Sequence, residues 1–200
     1  PEAAQWNGKI ELFGNGGYSG AIATAALGAA VKKGFAAVGH NTGHKGDEMR
    51  FGQGHPERIV DFAHRATHVA IENARLLVRA HLGRLADRAY FIGCSTGGNQ
   101  ALQAAQKYPD DFDGIVAGAP ANDRLGQTFA FNYSWRAMHR EDGSLMVARE
   151  KLALINKAVM ESCDALDGLK DGIIGDPRKC PAPDLSGILT AEEAAAVRKV

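Results

Sequence analysis

The sequence lacks the features that mark several common functional classes. No uninterrupted apolar run approaches the ~20 residues that a membrane-spanning helix needs. Charge is balanced, with 23 Lys and Arg against 23 Asp and Glu, so nothing favours nucleic acid or an anionic membrane as a partner. The sequence also contains no Gly-Lys-Ser or Gly-Lys-Thr phosphate loop and no His-Glu-x-x-His zinc motif. We therefore expect neither a nucleic-acid nor a membrane partner.

Cysteine is scarce, and its count is odd. Cys94, Cys163 and Cys180 cannot all pair within one chain, so one thiol lacks an internal partner. The 200 residues, 45% of them hydrophobic, suffice for one domain with a sizeable core, or for one domain and part of a second. Because the chain opens on Pro1 with no signal peptide, we expect it to be a processed or cut piece.

Apolar segments alternate with helical patterns through the first 120 residues. Four strands are predicted, at Lys9–Phe13, Phe35–Val38, Ala89–Ile92 and Gly114–Ala119. Helices are predicted at Ala21–Lys33 and Ile59–Leu82, and directly after Ser95. The polar, glycine-rich stretch His40–His55 is expected to be a surface loop. Such alternation favours an open, mostly parallel α/β sheet, whose functional sites lie at the carboxyl ends of the strands.

The pattern changes after Pro120. Aromatic and amphipathic helical segments follow, with no evident strand, and another helix is expected from about Thr190. We therefore predict two parts, with residues 1–121 forming a hydrolase core and residues 122–200 forming the start of a largely helical insertion.

The most informative segment is Gly93-Cys94-Ser95-Thr96-Gly97, which fits the pattern G-x-S-x-G. It lies between a predicted buried strand and a predicted helix, as a nucleophile elbow requires. Glycine is needed on both sides of the serine because the strand and helix backbones nearly touch at such a turn. We predict Ser95 to be a catalytic nucleophile; a plain turn between a strand and a helix is the alternative.

A second glycine-rich loop, Gly14-Asn15-Gly16-Gly17, follows the first predicted strand. Ester hydrolysis needs two backbone N–H groups directed at the developing oxyanion. In nucleophile-elbow enzymes one belongs to the residue after the serine, here Thr96, and the other to an earlier loop. We predict Gly17, ahead of Gly16, as the second donor. A phosphate-binding loop fits less well, because the G-x-G-x-x-G spacing is not matched cleanly.

A triad should continue after the serine with an acid and a histidine. Only His139 follows Ser95, and it lies in the predicted helical insertion. The other six histidines precede the serine, and most of them are expected to be surface or packing residues. We therefore predict that the triad Asp and His are not in this chain.

The segment from Cys163 to Ile174 is an acidic loop. Asp164, Asp167 and Asp171 fall within eight positions and are separated by Asp-Gly turns. Carboxylates and backbone carbonyls on a turning loop are the ligands that Ca²⁺ prefers, although the spacing is not that of an EF-hand. From the residues alone, a calcium site and a solvated turn remain equal alternatives.

With these segments in view, the sequence resembles the tannase/feruloyl esterase family of secreted serine esterases. The resemblance rests on Gly14–Tyr18, Gly93–Gly98 and Cys163–Ile174, and it extends over nearly the whole chain. It implies an α/β-hydrolase core with a large inserted lid. The family's signature joins a Cys-Ser pair, an Asp and a His-Cys pair; the last is missing here, which implies that the chain ends inside the lid.

The resemblance also implies roles for individual residues. Ser95 becomes the nucleophile, and Cys94 is expected to pair with a cysteine beyond Val200. A structural Ca²⁺ in the lid would be held by Asp164, Asp167, Leu169, Asp171 and Ile173. A lid disulfide between Cys163 and Cys180 would fit a secreted or periplasmic protein, since disulfides persist in oxidising compartments.

The function implied is hydrolysis of small aromatic esters, of galloyl or feruloyl type, through an acyl-enzyme, and the 200 residues alone are expected to be inactive. Two alternatives stay open. One is a hydrolase of terephthalate monoesters in the same family. The other, from a different class, is a non-catalytic binding module stabilised by calcium.

Overall fold

The computed structural model describes residues 1–200, and the chain divides into two compact units, Pro1–Asn122 and Asp123–Val200. None of the helices is both long and apolar enough to cross a membrane. The predicted boundary after residue 121, and the role of the second part as a lid, remain predictions.

A four-stranded parallel sheet forms the centre of the first unit. Its strands are β1 (Lys9–Phe13), β2 (Ala36–Gly39), β3 (Arg88–Cys94) and β4 (Gly114–Gly118). The order is β2-β1-β3-β4, and every neighbouring pair is parallel. The predicted α/β class and all four strands are confirmed, with ends that differ by no more than two residues.

The strand order places a topological switch point between β1 and β3. The chain runs from β1 outward to β2 and then returns past β1 to form β3, so the connections that follow β1 and β3 leave in opposite directions. Ligand sites of open α/β sheets lie at such a switch point. The Gly14 N–H donates to the Ile92 carbonyl at 2.9 Å, which brings the loop after β1 beside the strand leading to Ser95.

Helices connect the strands. They are α1 (Thr24–Lys32), α2 (Pro56–Val60), α3 (Ala66–Leu82) and α4 (Thr96–Lys107). One π-helical turn, Asp61–Arg65, joins α2 to α3, so the predicted helix at Ile59–Leu82 is confirmed and begins three residues earlier. Pro56 suits the first helical position, where no N–H is needed, and Gly83 ends α3 with a φ of 75°.

The core lies between the sheet and its helices. Ile10, Leu12 and Phe91 are wholly buried on the central strands, and Phe91 meets Phe112 edge to face at 5.4 Å. The other buried members of this cluster are Trp6, Ala36, Ile71, Ala74, Val78, Ala89, Ala101 and Ala104. Small residues dominate the helix faces, so the helices pack closely on the sheet and hold the strand ends in place.

The loop after β2 departs from its prediction. His40, Thr42 and His44 are buried, although the stretch His40–His55 was expected to lie at the surface. Their polar atoms are hydrogen-bonded, which removes the penalty for burying them, and the His44 ring stacks on Phe51 at 4.0 Å. The surface prediction was wrong for this first part of the loop because a polar sequence does not reveal internal partners.

The second unit consists of helices and turns. Its helices are α5 (Arg124–Met138), α6 (Arg149–Cys163) and α7 (Ala191–Val197), with short 3₁₀ turns at Asp164–Asp167 and Pro177–Lys179. Thr190 forms a capping box with Glu193 at the start of α7, as its position suggested. Lys151 on α6 pairs with Glu193 at 2.6 Å, and Cys163 is bonded to Cys180, so an ion pair and a disulfide stabilise the unit.

Candidate active site

Ser95 lies on a strained turn between β3 and α4. Its backbone has φ 59° and ψ −115°, a conformation that residues other than glycine rarely adopt, and its side chain is exposed. The Ser95 N–H donates to the Gly118 carbonyl at 3.0 Å, while the Ser95 carbonyl accepts from Ala121 N–H at 3.1 Å. These bonds to the end of β4 hold the turn, so the serine projects from a rigid support.

Close backbone contact explains the glycines of the elbow. A Cβ at Gly93 would lie 2.2 Å from the Gly97 carbonyl oxygen, and one at Gly98 would lie 2.3 Å from the Gly118 carbonyl oxygen. Backbone atoms packed between strand and helix cannot move aside as a flexible side chain can. Glycine at these positions therefore lets the chain turn sharply enough to expose Ser95.

The glycine loop after β1 lies against the first turn of α4. The Thr96 hydroxyl donates to the Gly17 carbonyl at 2.6 Å, and Gly17 has a φ of 54°. Cβ atoms built at Gly16 and Gly17 would meet nothing within 4 Å, so this part of the loop borders open space. The two predicted oxyanion donors, Thr96 and Gly17, are thus neighbours in the fold. Their roles in the reaction remain predictions.

The electrostatic environment at the N-terminus of α4 favours a negative charge. Thr96 is the first residue of α4, and the first N–H groups of a helix carry partial positive charge that no intrahelical carbonyl neutralises. An anion forming on an acyl group at Ser95 would lie next to that helix terminus. The arrangement is therefore chemically suited to stabilise a tetrahedral oxyanion.

Two buried amides support the site and were missed by the sequence analysis. The Asn15 N–H donates to Gln100 Oε1 at 3.0 Å, and Asn15 Nδ2 donates to the carbonyls of Ala21 and His40, both at 2.9 Å. Asn15 and Gln100 expose only 7% and 2% of their surfaces. The available signal was a polar Gln at a helix position whose neighbours Gly97, Ala101 and Ala104 face the core.

Two histidines of the first unit are buried near the glycine loop. His40 Nδ1 accepts from the Thr42 N–H at 3.3 Å, and its Nε2 lies 3.2 Å from Thr67 Oγ1. Burial lowers the pKa of His40 to about 4, so its ring is neutral near pH 7. His44 Nε2 lies 2.8 Å from the Tyr18 carbonyl oxygen. Both rings therefore form hydrogen bonds that stabilise the loops around them.

Two further histidines lie one turn apart on the face of the helix that meets Tyr108. His64 Nδ1 lies 2.7 Å from Tyr108 Oη, and His68 pairs with Asp111 at 2.8 Å while stacking on Tyr108. Desolvation and nearby cations lower the pKa of His64. Within the first unit, no histidine ring hydrogen-bonds to Ser95. The absence of the triad histidine from this chain remains a prediction.

His139, the one histidine after Ser95, follows the last residue of α5. Its ring stacks on Trp135 at 4.3 Å, and its Nδ1 lies 2.7 Å from the Trp135 carbonyl oxygen. This local contact holds the ring against its own helix.

The acidic loop of the second unit offers oxygen atoms but no gathered set of calcium ligands. The donors are oxygens, as Ca²⁺ prefers, but each carboxylate accepts a loop N–H: Asp164 from Gly172, Asp167 from Leu169 and Gly175, and Asp171 from Ile173. No three Asp, Glu, His or Cys side chains lie close enough together to hold a metal ion. The donor chemistry fits, but the arrangement seen here does not gather the three carboxylates around one point.

The three cysteines differ in state. Cys163 and Cys180 form the disulfide across the acidic loop, and Cys94, next to Ser95, is free and exposed. The odd thiol of the sequence is thus the one in the elbow.

A parallel sheet with a strained, exposed serine between strand and helix, beside a glycine loop at the switch point, defines an α/β-hydrolase fold with a nucleophile elbow. Comparison with known sequences then specifies the family. The model of the family described as tannase and feruloyl esterase matches residues 1–192. The chain belongs to this family.

Relatives of known name are similar over nearly the whole chain. A probable feruloyl esterase B of Aspergillus clavatus is 38% identical over 98% of this chain, and a probable feruloyl esterase B-2 of Aspergillus fumigatus is 34% identical over 98%. In both cases the match covers 39% of the relative. This chain thus spans about two fifths of the length of the relatives it matches.

Solved structures show the same fold. The crystal structure of feruloyl esterase B from Aspergillus oryzae aligns with 98% of this chain at a TM-score of 0.83 and 30% identity, covering 42% of that structure. The tannin acyl hydrolase from Aspergillus niger aligns with 99% at a TM-score of 0.74 and 21% identity, covering 41% of that structure, a likeness of fold alone. The predicted family and fold class are confirmed.

Proposed function

We propose that Ser95 is the nucleophile of a serine carboxylic-ester hydrolase that acts on small aromatic esters of feruloyl or galloyl type. One observation carries the proposal: an exposed serine held at φ 59° at the start of α4, beside the glycine loop. Membership of the tannase and feruloyl esterase family supports the reaction type. The names of the Aspergillus relatives support the aromatic acyl group.

The proposed chemistry has two steps through a covalent intermediate. Ser95 Oγ attacks the ester carbonyl carbon while a histidine takes its proton; the C–O bond to the alcohol then breaks, and the histidine returns the proton to that alcohol. Water, deprotonated by the same histidine, then attacks the acyl carbon; the bond from that carbon to Ser95 Oγ breaks, the histidine returns the proton to Oγ, and the acid leaves. The N–H groups of Thr96 and Gly17 hold the oxyanion in both steps.

The histidine and acid of the triad belong, in this proposal, to the part of the relatives' length that these residues do not span. In the first unit His40, His44, His64 and His68 are all engaged in loop or helix contacts. A serine without a base is a weak nucleophile near neutral pH, so residues 1–200 expressed alone are expected to turn over esters far more slowly than the full-length protein.

The test uses full-length protein with Ser95→Ala and, as a matched control, Ser144→Ala, which changes an exposed serine of the second unit. A fluorophosphonate probe should label the wild type and Ser144→Ala but not Ser95→Ala. Hydrolysis of methyl ferulate, methyl gallate and a terephthalate monoester then identifies the acyl group preferred. An unlabelled, inactive wild type would contradict the proposal and favour a binding module; preference for the terephthalate ester would contradict only the substrate class.

A structural Ca²⁺ in the acidic loop is a further part of the proposal, supported by its oxygen donors. Asp164, Asp167 and Asp171, with the Leu169 and Ile173 carbonyls, would hold it. EDTA-stripped full-length protein should gain thermal stability in millimolar Ca²⁺, and Asp167→Asn should lose that gain. Asp142→Asn, outside the loop, should keep it. No gain in the wild type would refute the site.

We also propose an oxidising location, such as the cell exterior or the periplasm. The support is the Cys163–Cys180 disulfide, because cytosolic thiols are kept reduced. Cys94 would then pair with a cysteine elsewhere in the full-length protein. Free-thiol counting under denaturing, non-reducing conditions tests both: a reactive Cys163 or Cys180 would contradict the location, and a reactive Cys94 would contradict its pairing.

A further inference from the structure

One face of α4 makes two side-chain hydrogen bonds to the glycine loop. Thr96 and Gln100 are four residues apart, so their side chains emerge one above the other on the same side of the helix. Thr96 Oγ1 donates to the Gly17 carbonyl at 2.6 Å, and Gln100 Oε1 accepts from the Asn15 N–H at 3.0 Å. The two contacts join segments 79 and 85 residues apart in sequence.

Both side chains are almost completely buried, with 2% of each residue exposed. The backbones they join are also in close contact, since a Cβ at Gly14 would lie 2.7 Å from the Gly97 Cα. Removing one partner of a buried hydrogen bond is costly, because the group that remains is unsatisfied and is not accessible to water. The loop is therefore fixed relative to the helix that begins at the nucleophile.

The loop residues are also held from their other side. Asn15 Nδ2 donates to the Ala21 and His40 carbonyls, which ties the start of the loop to the end of β2. Gln100 Nε2 lies 3.5 Å from Asn15 Oδ1, so the two amides face each other with complementary groups. Asn15 is thus fixed from two directions, and Gln100 transmits the position of α4 to it.

From this arrangement we infer that the side chains of Thr96 and Gln100 are positioning residues that set the separation of the two oxyanion-hole N–H groups. Thr96 would play a double part: its own N–H belongs to the hole, while its hydroxyl holds the loop that carries the second donor. The inference rests on the proposed function. Its physical basis is that donors stabilise a transition state only when they are fixed in place before charge develops.

The expected signature is a loss of kcat with little change in KM. Both donors act on the tetrahedral oxyanion more than on the neutral ester, so misplacing one by a fraction of an ångström weakens transition-state binding selectively. Shifts of about 1 Å in catalytic groups cost up to roughly 100-fold in rate. We expect kcat to fall about 10- to 100-fold in Thr96→Val, which keeps the N–H and the side-chain shape but lacks the hydroxyl.

The experiment compares Thr96→Val, Thr96→Ser, Gln100→Met and Gln106→Met in the full-length protein. Thr96→Ser restores the hydroxyl and should recover most of the activity, and Gln106→Met alters an exposed glutamine of the same helix and should match the wild type. Affinity for an aryl boronic acid, which forms a tetrahedral adduct with a serine nucleophile, should fall with kcat in Thr96→Val and Gln100→Met. Affinity for the product acid should stay within about twofold.

The outcomes separate this inference from the proposed function. If Ser95→Ala abolishes activity while Thr96→Val and Gln100→Met keep wild-type kcat and boronate affinity, the positioning inference is wrong and the function stands. If boronate and product affinities fall together, the residues only maintain the fold, and the inference is again overturned. Thermal unfolding identifies a variant that does not fold. If only one of Thr96→Val and Gln100→Met folds, that variant decides the question. If neither folds, the side chains are needed for folding, and the positioning inference is rejected. An inactive wild type removes both claims.

Discussion

Burial of His40 should make the protein less stable in mild acid. Its ring accepts the Thr42 N–H at Nδ1, so protonation there would place two donors face to face in a dry site. Burial lowers the pKa from an ordinary value of 6.5 to about 4 in the folded protein. The unfolded chain therefore binds this proton more readily, and the stability present above pH 6.5 is lost as the pH falls toward 4.

The size of the loss follows from the two pKa values. With 6.5 unfolded and about 4 folded, linkage gives a decrease of about 2 kcal/mol in the free energy of unfolding at pH 5 and about 3 kcal/mol at pH 4. At pH 7 the same group costs almost nothing, because the ring is largely neutral in both states. Most of the change attributable to His40 should therefore occur between pH 6.5 and pH 4.

The assay is urea unfolding of the full-length protein, followed by circular dichroism at pH 7 and pH 5. His40→Asn keeps a polar side chain able to accept from Thr42 but does not titrate, so its decrease between the two pH values should be about 2 kcal/mol smaller than that of the wild type. His81→Asn, which changes an exposed histidine, is the matched control. Equal decreases in the wild type and His40→Asn would refute the assignment of the pH dependence to His40.

Two further predictions concern covalent and steric constraints. Replacing Cys163 by serine opens a disulfide of sequence separation 17, and the chain-entropy relation gives a loss of about 3 kcal/mol; an unchanged denaturation midpoint, with the wild-type disulfide shown to be formed, would contradict this. Gly93→Ala should strongly reduce fluorophosphonate labelling, because its Cβ would lie 2.2 Å from the Gly97 carbonyl oxygen. Gly28→Ala, in α1, is the matched control. A Cβ at this position would have no neighbour within 4 Å, so the substitution should stabilise the protein by about 0.5–1 kcal/mol. Similar labelling of Gly93→Ala and Gly28→Ala would show that the elbow tolerates a side chain.

The sequence alone was sufficient to predict the elements that depend on residues adjacent in the chain. Strand β1 has the predicted bounds Lys9–Phe13, because apolar residues that alternate with charged ones and then meet a glycine specify both a strand and its end. The elbow at Ser95 was predictable for the same reason, since strand, glycine, serine, glycine and helix are contiguous in the chain. Thr190 indicated the start of α7, because a capping residue bonds to N–H groups within the first turn of its own helix.

Tertiary structure decided which distant segments meet. The order β2-β1-β3-β4 places the glycine loop beside Ser95, an adjacency that could be expected only by analogy with other nucleophile-elbow enzymes. The bonds from Thr96 to Gly17 and from Gln100 to Asn15 span about 80 residues, so they exist only once β1 and β3 have paired. Burial of His40 also depends on tertiary structure. The stretch His40–His55 has the composition of a surface loop, and a buried, neutral ring is stable there only because the fold supplies its hydrogen-bond partners.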